Sequence, residues 1–219
     1  MSAASARAGA RLAEFAVPIP IAIRMYRLGM LARVAVEIVF ETHPQTMHSE
    51  AGIASGWLPA SLSENGRRHA REMRRRRRHD PLAAVYHSDL LRVVETVEIA
   101  FIAFAGPVVA DKRLRDINYG ALNGAPEAQL WRERATHIDT RFPHGESLRQ
   151  VVDRTRDLLA ELAVRWDGAR IAVLAHPVNG WALDHLLHGV PLDKLVVAPA
   201  DVDERREYDL PAGWTGRGP

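Results

Sequence analysis

The stretch from Val34 to Thr46, VAVEIVFETHPQT, constrains the fold of this chain more than any other part of its sequence. The apolar residues of its first half are Val34, Val36, Ile38 and Phe40. β-branched and aromatic residues at such close spacing are typical of a strand in a sheet core. This strand delivers His43 into a short polar turn. Because ligands of open α/β sheets bind just outside the carboxyl ends of strands, His43 is a candidate for a functional site.

A second segment repeats this arrangement near the end of the chain. Ile171 to Ala175 is an apolar strand that ends on His176, and a helix is predicted after it. Between the two segments, Arg92 lies one turn into a helix that follows a short strand, and Asp116 lies in a polar loop. Strands alternate with helices along the chain. This order favours a three-layer α/β/α sandwich with a mostly parallel central sheet.

The composition is that of a soluble globular protein. Of the 219 residues, 47% are hydrophobic and 26% are charged, and the formal net charge is only +2. There is no cysteine, which excludes disulfides, thiol nucleophiles and thiolate metal sites and fits a reducing interior, so we expect a cytoplasmic protein. No run approaches the ~20 apolar residues of a membrane span, and we expect no membrane partner.

We predict one main domain, residues 31–210, followed by a flexible tail, 211–219. Within it, Glu207 to Leu210 is predicted to be an edge strand. Residues 1–30 are interpreted as an N-terminal extension rich in Ala, Arg and Gly. A helix with arginines on one face could lie on a membrane or a partner, but a covering or frayed segment is favoured, and the extension is given no function.

Five consecutive arginines, Arg74 to Arg78, end a helix that is predicted to begin at Glu64 with Ser63 as its cap. Such a run can bind nucleic-acid phosphates. However, five consecutive residues project all round a helix, and no aromatic residues are interleaved with them. A solvated helix end is therefore favoured, and no nucleic-acid partner is predicted.

Two histidines, an arginine and an acid suffice for phosphoryl transfer without a metal. A neutral imidazole can attack phosphorus and form a phosphohistidine. Arginine and a second imidazole can neutralise the phosphoryl oxygens, and Asp116 could protonate the leaving alkoxide. A histidine at a strand end can equally be structural, and ten histidines are present, so the residues alone leave this open.

Six segments, in order, resemble the histidine phosphatase superfamily, also called phosphoglycerate mutase-like. Its first motif is a strand that ends in Arg-His-Gly, then Glu or Gln, then Thr, and ETHPQT matches it at His43, Gln45 and Thr46. The other five segments are GIASGWLPASLSENGRRHA, HSDLLRVVETVEIA, LRDINYGALNG, FPHGES and LAHPVNGWAL. Together they cover about residues 34 to 210.

The resemblance implies a role for each matching residue. His43 would be the phosphorylated nucleophile, Arg92 and His176 would hold the phosphoryl oxygens, and Asp116 would stand where the family has its acid/base glutamate. The aspartate side chain is one methylene shorter than that of glutamate, so it is left open whether Asp116 reaches the substrate. The further residues predicted to bind phosphate are Thr42, Gln45, Thr46, Ser49 and Asn179.

The sequence departs from the family motif at three positions. Thr42 replaces the arginine before the nucleophile and loses a fixed charge. Pro44 replaces the glycine after His43 and, like Pro177 after His176, lacks a backbone N–H. Three interpretations follow: a phosphatase with a remodelled pocket, a protein that binds a phosphorylated ligand without turnover, and a different reaction or a metal site. Arg92 would repel a metal ion held by the histidines and Asp116.

We favour the first: a metal-independent phosphatase that hydrolyses a small phosphate monoester through a phosphohistidine on His43, with Asp116 as the proton donor. No cofactor or metal is predicted, and a mutase is less favoured because the chain lacks the longer insertions that the resemblance associates with mutases. A homodimer is left open. The loops expected to cover the site carry Trp57, Trp131, His137 and His144, and Arg134 and Arg141 could meet an anionic substrate.

Overall fold

The computed structural model describes residues 34–197 and 205–216, so the predicted extension, residues 1–30, lies outside the described residues. Within these ranges five strands form one sheet in the order β3-β2-β4-β1-β5. They are β1 Val34–Thr42, β2 Ala84–His87, β3 Val108–Ala110, β4 Ala169–Ala175 and β5 Arg206–Pro211. All neighbours are parallel except β5, which pairs with β1 in the antiparallel direction at the sheet edge. The predicted α/β fold, and the edge strand near Glu207 to Leu210, are confirmed.

Helices cover both faces of this sheet. The α-helices are α1 Met47–Glu50, α2 Glu64–Arg76, α3 Leu91–Ala100, α4 Glu127–Glu133, α5 Leu148–Arg165, α6 Pro177–His188 and α7 Leu192–Leu195, and short 3₁₀ turns span Lys112–Leu114, Gly120–Leu122 and Arg134–His137. Helices α5 and α6 pack on the larger core, and α2 and α3 pack on the smaller one behind the sheet. None of the helices in these ranges is long and apolar enough to cross a bilayer.

The parallel register of β1 and β4 positions the two histidines. Thr42 lies opposite Ala175, so His43 and His176 each follow the last paired residue of neighbouring strands. The His43 backbone N–H donates to the Ala175 carbonyl at 3.2 Å, which extends the pairing to the turn itself. Since both strands are buried and run in the same direction, their carboxyl ends open at one edge of the sheet.

The prediction that Arg74 to Arg78 form a solvated helix end is wrong at one residue. Helix α2 ends at Arg76, and the next residue, Arg77, is buried, whereas the other four arginines of the run are exposed. The Arg77 guanidinium pairs with the buried Glu41 carboxylate of β1 and lies 4.5 Å from the centre of the Phe101 ring. A buried carboxylate is costly unless a cation pairs with it. Arg77, the residue that follows the last turn of α2, supplies this cation to Glu41.

Candidate active site

His43 and His176 face each other at the carboxyl edge of the sheet. Their ring centres are 5.1 Å apart and the ring planes meet at 63°. His176 is fully buried, and His43 is partly exposed. His43 lines the cavity at this edge of the sheet, whereas His176 lies behind it, outside the lining, so His43 is the one that a ligand can approach.

The hydrogen bonds of His43 determine its tautomer. Arg92 Nε lies 3.1 Å from His43 Nε2, and because a guanidinium only donates, Nε2 must be the acceptor and carry no proton. The proton then sits on Nδ1, which donates to the Pro44 carbonyl at 2.8 Å. Proline at position 44 removes a backbone N–H but keeps this carbonyl, so the substitution leaves the orienting bond in place.

His43 is held in its neutral form. Burial and the nearby Arg92 charge lower its pKa from 6.5 to about 3, although the hydrogen bond to Pro44 opposes them. A neutral ring with a bare Nε2 is the form in which imidazole acts as a nucleophile. The His43 ring is therefore neutral over the whole physiological pH range.

Arg92 ties three parts of the chain together at this site. Its side chain is fully buried at the start of α3. Besides the bond to His43, Nη2 donates to the Gly56 carbonyl and to Asp116 Oδ2, both at 2.9 Å. Gly56 has a φ of +52°, and a Cβ there would lie 1.9 Å from an Asn123 oxygen. Only glycine lets this loop come close enough to receive the guanidinium.

Asp116 reaches the site despite its short side chain. Oδ2 accepts from Arg92, and Oδ1 accepts from the Ile117 backbone N–H at 2.8 Å. Its backbone carbonyl accepts from Trp57 Nε1 at 2.7 Å and from Arg154 Nη2 at 2.9 Å, so the loop is fixed from behind. Burial raises the pKa of Asp116 while the Arg92 charge lowers it, and burial prevails. A raised carboxyl pKa favours the protonated form that a general acid needs.

His176 points one ring nitrogen toward the acid. Nε2 lies 2.9 Å from Ser88 Oγ, and Nδ1 lies 3.9 Å from Asp116 Oδ2 without a hydrogen-bond partner in the described part of the chain. The pKa of His176 is well below 6.5, mainly because the ring is buried and also because the Arg92 charge is close. A buried polar atom without a partner is costly, so Nδ1 still has an unused hydrogen-bonding position on the side of Asp116.

Two of the other predicted phosphate ligands reach the cavity. Thr46 and Ser49 both line it, but they also close the start of the short helix α1. The Thr46 hydroxyl accepts from the Ser49 backbone N–H at 3.0 Å, and the Ser49 hydroxyl lies 2.8 Å from the Thr46 backbone nitrogen. Their oxygens are therefore engaged in a capping box.

The remaining three predicted ligands, Thr42, Gln45 and Asn179, are outside the lining of this cavity. Thr42 is buried within the strand, and Gln45 is exposed, with its carbonyl accepting from a neighbouring loop. The Asn179 side-chain oxygen accepts from the His176 backbone N–H at 3.1 Å. Asn179 thus orients the second histidine from within helix α6.

The cavity above the histidines has a volume of about 150 Å³. Its walls include three residues that the sequence interpretation missed: Tyr119, Glu127 and Trp181. Trp181 lies one helical turn after Pro177, so the spacing of α6 could have indicated it. Tyr119 and Glu127 lie in or beside loops and give no comparable signal.

Of the residues expected in covering loops, Trp131 and Arg134 line the cavity. Trp57 lies behind Asp116 instead, and its ring is stacked under the Arg115 guanidinium at 4.6 Å. His137 stacks on Phe142 at 3.8 Å between ring centres. His144 and Arg141 are also outside the lining.

Among residues 34–197 and 205–216, no three histidine or carboxylate side chains are arranged to ligate a metal ion. Both His43 Nε2 and Asp116 Oδ2 already accept from Arg92. A cation at that place would meet the arginine charge at short range.

Comparisons with known proteins agree on one family. The family sequence model of the histidine phosphatase superfamily (branch 1) matches residues 38–202 of this chain. The protein described as probable phosphoglycerate mutase GpmB of Serratia proteamaculans is 26% identical over 82% of this chain and 90% of its own length. Among solved structures, Bacillus stearothermophilus YhfR is 25% identical with a TM-score of 0.68, covering 77% of this chain and 88% of its own. Mycobacterial glucosyl-3-phosphoglycerate phosphatase Rv2419c is 27% identical with a TM-score of 0.67, covering 77% and 87%.

Proposed function

Since the chain belongs to the histidine phosphatase superfamily, we propose that it is a phosphatase that hydrolyses a small phosphate monoester through a phosphohistidine on His43. The observation that carries the proposal is the tautomer of His43. Its Nε2 is unprotonated, and the only charge that approaches it within hydrogen-bonding distance among the described residues is the buried guanidinium of Arg92. Such a pair supplies both the nucleophile and a cation for the phosphoryl oxygens.

In the first step, Arg92 Nε–H moves from His43 Nε2 to a phosphoryl oxygen, and the freed Nε2 lone pair attacks phosphorus and forms an N–P bond. The bond between phosphorus and the ester oxygen breaks, and its electrons go to that oxygen. The protonated carboxyl of Asp116 gives its proton to the leaving oxygen, so that an alcohol departs. Arg92, released from the carboxylate once Asp116 is protonated, can turn its charge toward the phosphoryl oxygens, and His176 Nδ1 faces the same region.

In the second step, the Asp116 carboxylate accepts a proton from water as the water oxygen attacks phosphorus. The N–P bond breaks, inorganic phosphate leaves, and His43 recovers its lone pair. Asp116 is protonated again for the next cycle, as microscopic reversibility requires. The balance needs only substrate and water, so the proposal invokes no cofactor.

The relatives support phosphoryl transfer but differ in reaction. One solved relative is a glucosyl-3-phosphoglycerate phosphatase, and a curated one is described as a probable phosphoglycerate mutase. We favour hydrolysis, the reaction of the solved relative that is named as a phosphatase. The absence of cysteine supports the cytoplasm as the proposed location.

The test is an assay of purified protein with para-nitrophenyl phosphate and a panel of alkyl phosphate esters between about pH 5 and 8, with a chelator present. We expect turnover that survives chelation and is lost in His43→Ala. His79→Ala is the matched control, because His79 is an exposed histidine outside the cavity. Phosphorus-32 label retained on alkali-denatured native protein, and not on His43→Ala, is the expected mark of the N–P bond. Turnover that persists in His43→Ala would overturn the mechanism.

One observation favours a second function, binding of a phosphorylated ligand without turnover. Thr42 is buried where the family motif has arginine, and threonine supplies no charge to the phosphoryl group. If the native protein is inactive and Thr42→Arg gains His43-dependent turnover, the catalytic frame is intact and the second function holds. Activity in the native protein excludes it.

A further inference from the structure

A second cavity lies behind the sheet, between the ends of helices α2 and α3. Its volume is about 620 Å³, within the roughly 300–1,000 Å³ of small-molecule sites, and it shares no lining residue with the cavity at His43. Five of the residues that line it are arginines of one short stretch: Arg71, Arg74, Arg75, Arg77 and Arg78. So many cations around one concave surface favour an anionic ligand.

Four of these arginines follow the spacing of a single helix face. Positions 74, 75 and 78 come three, four and seven residues after Arg71, and Arg77, the cap of α2, keeps a right-handed helical conformation. Side chains at this spacing point in the same direction, whereas Arg76 is outside the lining. Like charges on one helix face repel each other, so an anion bound along this face would relieve a repulsion that is built into α2.

Three of the arginines have no carboxylate to neutralise them within residues 34–197 and 205–216. Arg74, Arg75 and Arg78 form no ion pair in these ranges. Arg71 lies 3.5 Å from Glu64, and both side chains are exposed, so this pair is weak and screened by solvent. The charge of this helix face is therefore available to a ligand.

The carboxylates beside the cavity are already paired. Asp80, the only carboxylate among the described lining residues, pairs with Arg205 at 2.9 Å, and Glu41 pairs with Arg77. Burial lowers the pKa of Arg77 even though Glu41 and Asp80 raise it. These two carboxylates thus do not offset the cost of burying the Arg77 charge, and further negative charge nearby would be favourable.

The rest of the lining is apolar and comes from the chain around the end of α3. Phe101 and Phe104 pack edge to face with their ring centres 6.1 Å apart. Phe101 is buried under the Arg77 guanidinium, whereas Phe104 and Leu82 are only half-buried. Phe104 and Leu82 therefore offer a partly exposed apolar surface next to the arginines.

We propose that this cavity binds a nucleoside polyphosphate, with its phosphates along the arginine face of α2 and its base against Phe104 and Leu82. Seven residues of helix span about 10 Å, so a single phosphate group cannot reach from Arg71 to Arg78, whereas a chain of phosphates can. Arginine forms charge-assisted hydrogen bonds with phosphate oxygens, and bases stack on aromatic rings. A concave lining suits a small molecule better than a nucleic-acid strand.

The test is calorimetry with ATP, inorganic triphosphate, inorganic phosphate and adenosine in the absence of divalent cations. His43→Ala is the background, so that the proposed turnover cannot consume the ATP. The affinities are measured again with Arg74→Gln/Arg78→Gln added. The control is Arg68→Gln/Arg76→Gln, which removes the same charge from two exposed arginines of α2 outside the lining.

We expect ATP to bind, and Arg74→Gln/Arg78→Gln to weaken its binding by at least roughly 10-fold, the usual worth of a charge-assisted hydrogen bond. The control should change the affinity little, and phosphate and adenosine should bind far more weakly than ATP. ATP should also bind roughly 10-fold more tightly than triphosphate because the base adds a stacking contact, and Phe104→Leu should reduce this advantage.

Failure of ATP to bind, an equal loss of affinity in the two double variants, or no loss in either would overturn the inference. Triphosphate or phosphate that binds as tightly as ATP would overturn it as well. A single-stranded RNA of about 12 nucleotides is the last probe. RNA that binds more tightly than ATP and depends on Arg74 and Arg78 would assign these arginines to a nucleic acid instead. Turnover at His43 is tested separately and does not depend on these outcomes.

Discussion

A histidine acts as a nucleophile only while its ring is neutral, and burial and Arg92 keep His43 in that state. Because its pKa is lowered to about 3, lowering the pH from 7 to 5 should leave His43 unprotonated. The pKa of Asp116 is raised, so the same change increases the fraction of protonated acid. Both shifts therefore favour the proposed reaction at mildly acidic pH.

We therefore predict that kcat/KM for alkyl phosphates does not fall between pH 7 and pH 5, after correction for the phosphate group's own pKa of about 6. An ordinary histidine would lose most of its neutral form over this range. The measurement is a pH profile of kcat/KM. A loss of activity on an acidic limb centred near pH 6.5 would contradict the proposed state of His43.

Two substrates with different leaving groups can show whether Asp116 donates a proton or acts only through its charge. Asp116→Asn should lower kcat for an alkyl phosphate by about 10²- to 10⁴-fold, because the poor leaving oxygen then lacks a proton donor. It should lower turnover of para-nitrophenyl phosphate far less, since nitrophenolate leaves without a proton. Equal losses on both substrates, measured as the ratio of the two kcat values, would show that Asp116 is not the acid.

At the scale of elements, helix α5 holds the loop that carries Asp116. Arg154 of α5 donates from Nη1 to the carbonyls of Arg113 and Arg115, both at 2.7 Å, and from Nη2 to the carbonyl of Asp116 at 2.9 Å. Glu146 pairs with the same guanidinium at 3.2 Å. The Arg154 side chain therefore provides hydrogen-bond donors for three backbone carbonyls of this loop, which are not paired within a regular helix or strand.

We predict that Arg154→Met lowers kcat for alkyl phosphates by roughly tenfold with little change in KM, because the acid is displaced while the phosphate site remains. Arg165→Met, at the solvent-exposed end of the same helix, is the control. The readouts are the kcat-to-KM split and the leaving-group dependence described for Asp116. A rise in KM with kcat unchanged would mean that Arg154 acts on binding instead.

At the scale of the whole molecule, a buried ion pair supports β1, the strand that precedes His43. The side chains of Glu41 and Arg77 are 5% and 4% exposed, and Glu41 lies two residues before His43 on β1. Removing one partner of such a pair leaves an uncompensated buried charge, whereas replacing both with apolar side chains can be nearly neutral.

Arg77→Met should lower the free energy of unfolding by about 3–5 kcal/mol, measured by urea denaturation. The double variant Glu41→Met/Arg77→Met should recover most of this loss, and Arg75→Met, at an exposed arginine of the same run, should change stability by less than about 0.5 kcal/mol. If Arg75→Met lowers the free energy of unfolding as much as Arg77→Met does, the stabilisation comes from the arginine run in general and not from the buried pair of Arg77 with Glu41.

The sequence by itself determined the strands, most helix starts and the family. The strand that precedes His43 and the helix cap at Ser63 depend on patterns within a few residues, and such patterns are readable without a fold. The resemblance, carried by six short segments, is confirmed by the family match to residues 38–202.

Only the tertiary structure decided the charge states and the walls of the site. The tautomer of His43 depends on Arg92, 49 residues away, and the burial of Arg77 depends on its pairing with Glu41 of β1. The Arg134 guanidinium likewise lies 5.0 Å from the ring centre of Trp181, a residue of α6 that is 47 positions away in the sequence. These contacts join residues far apart in sequence, and no local pattern encodes them, because burial and hydrogen-bond partners exist only once the strands and helices have packed.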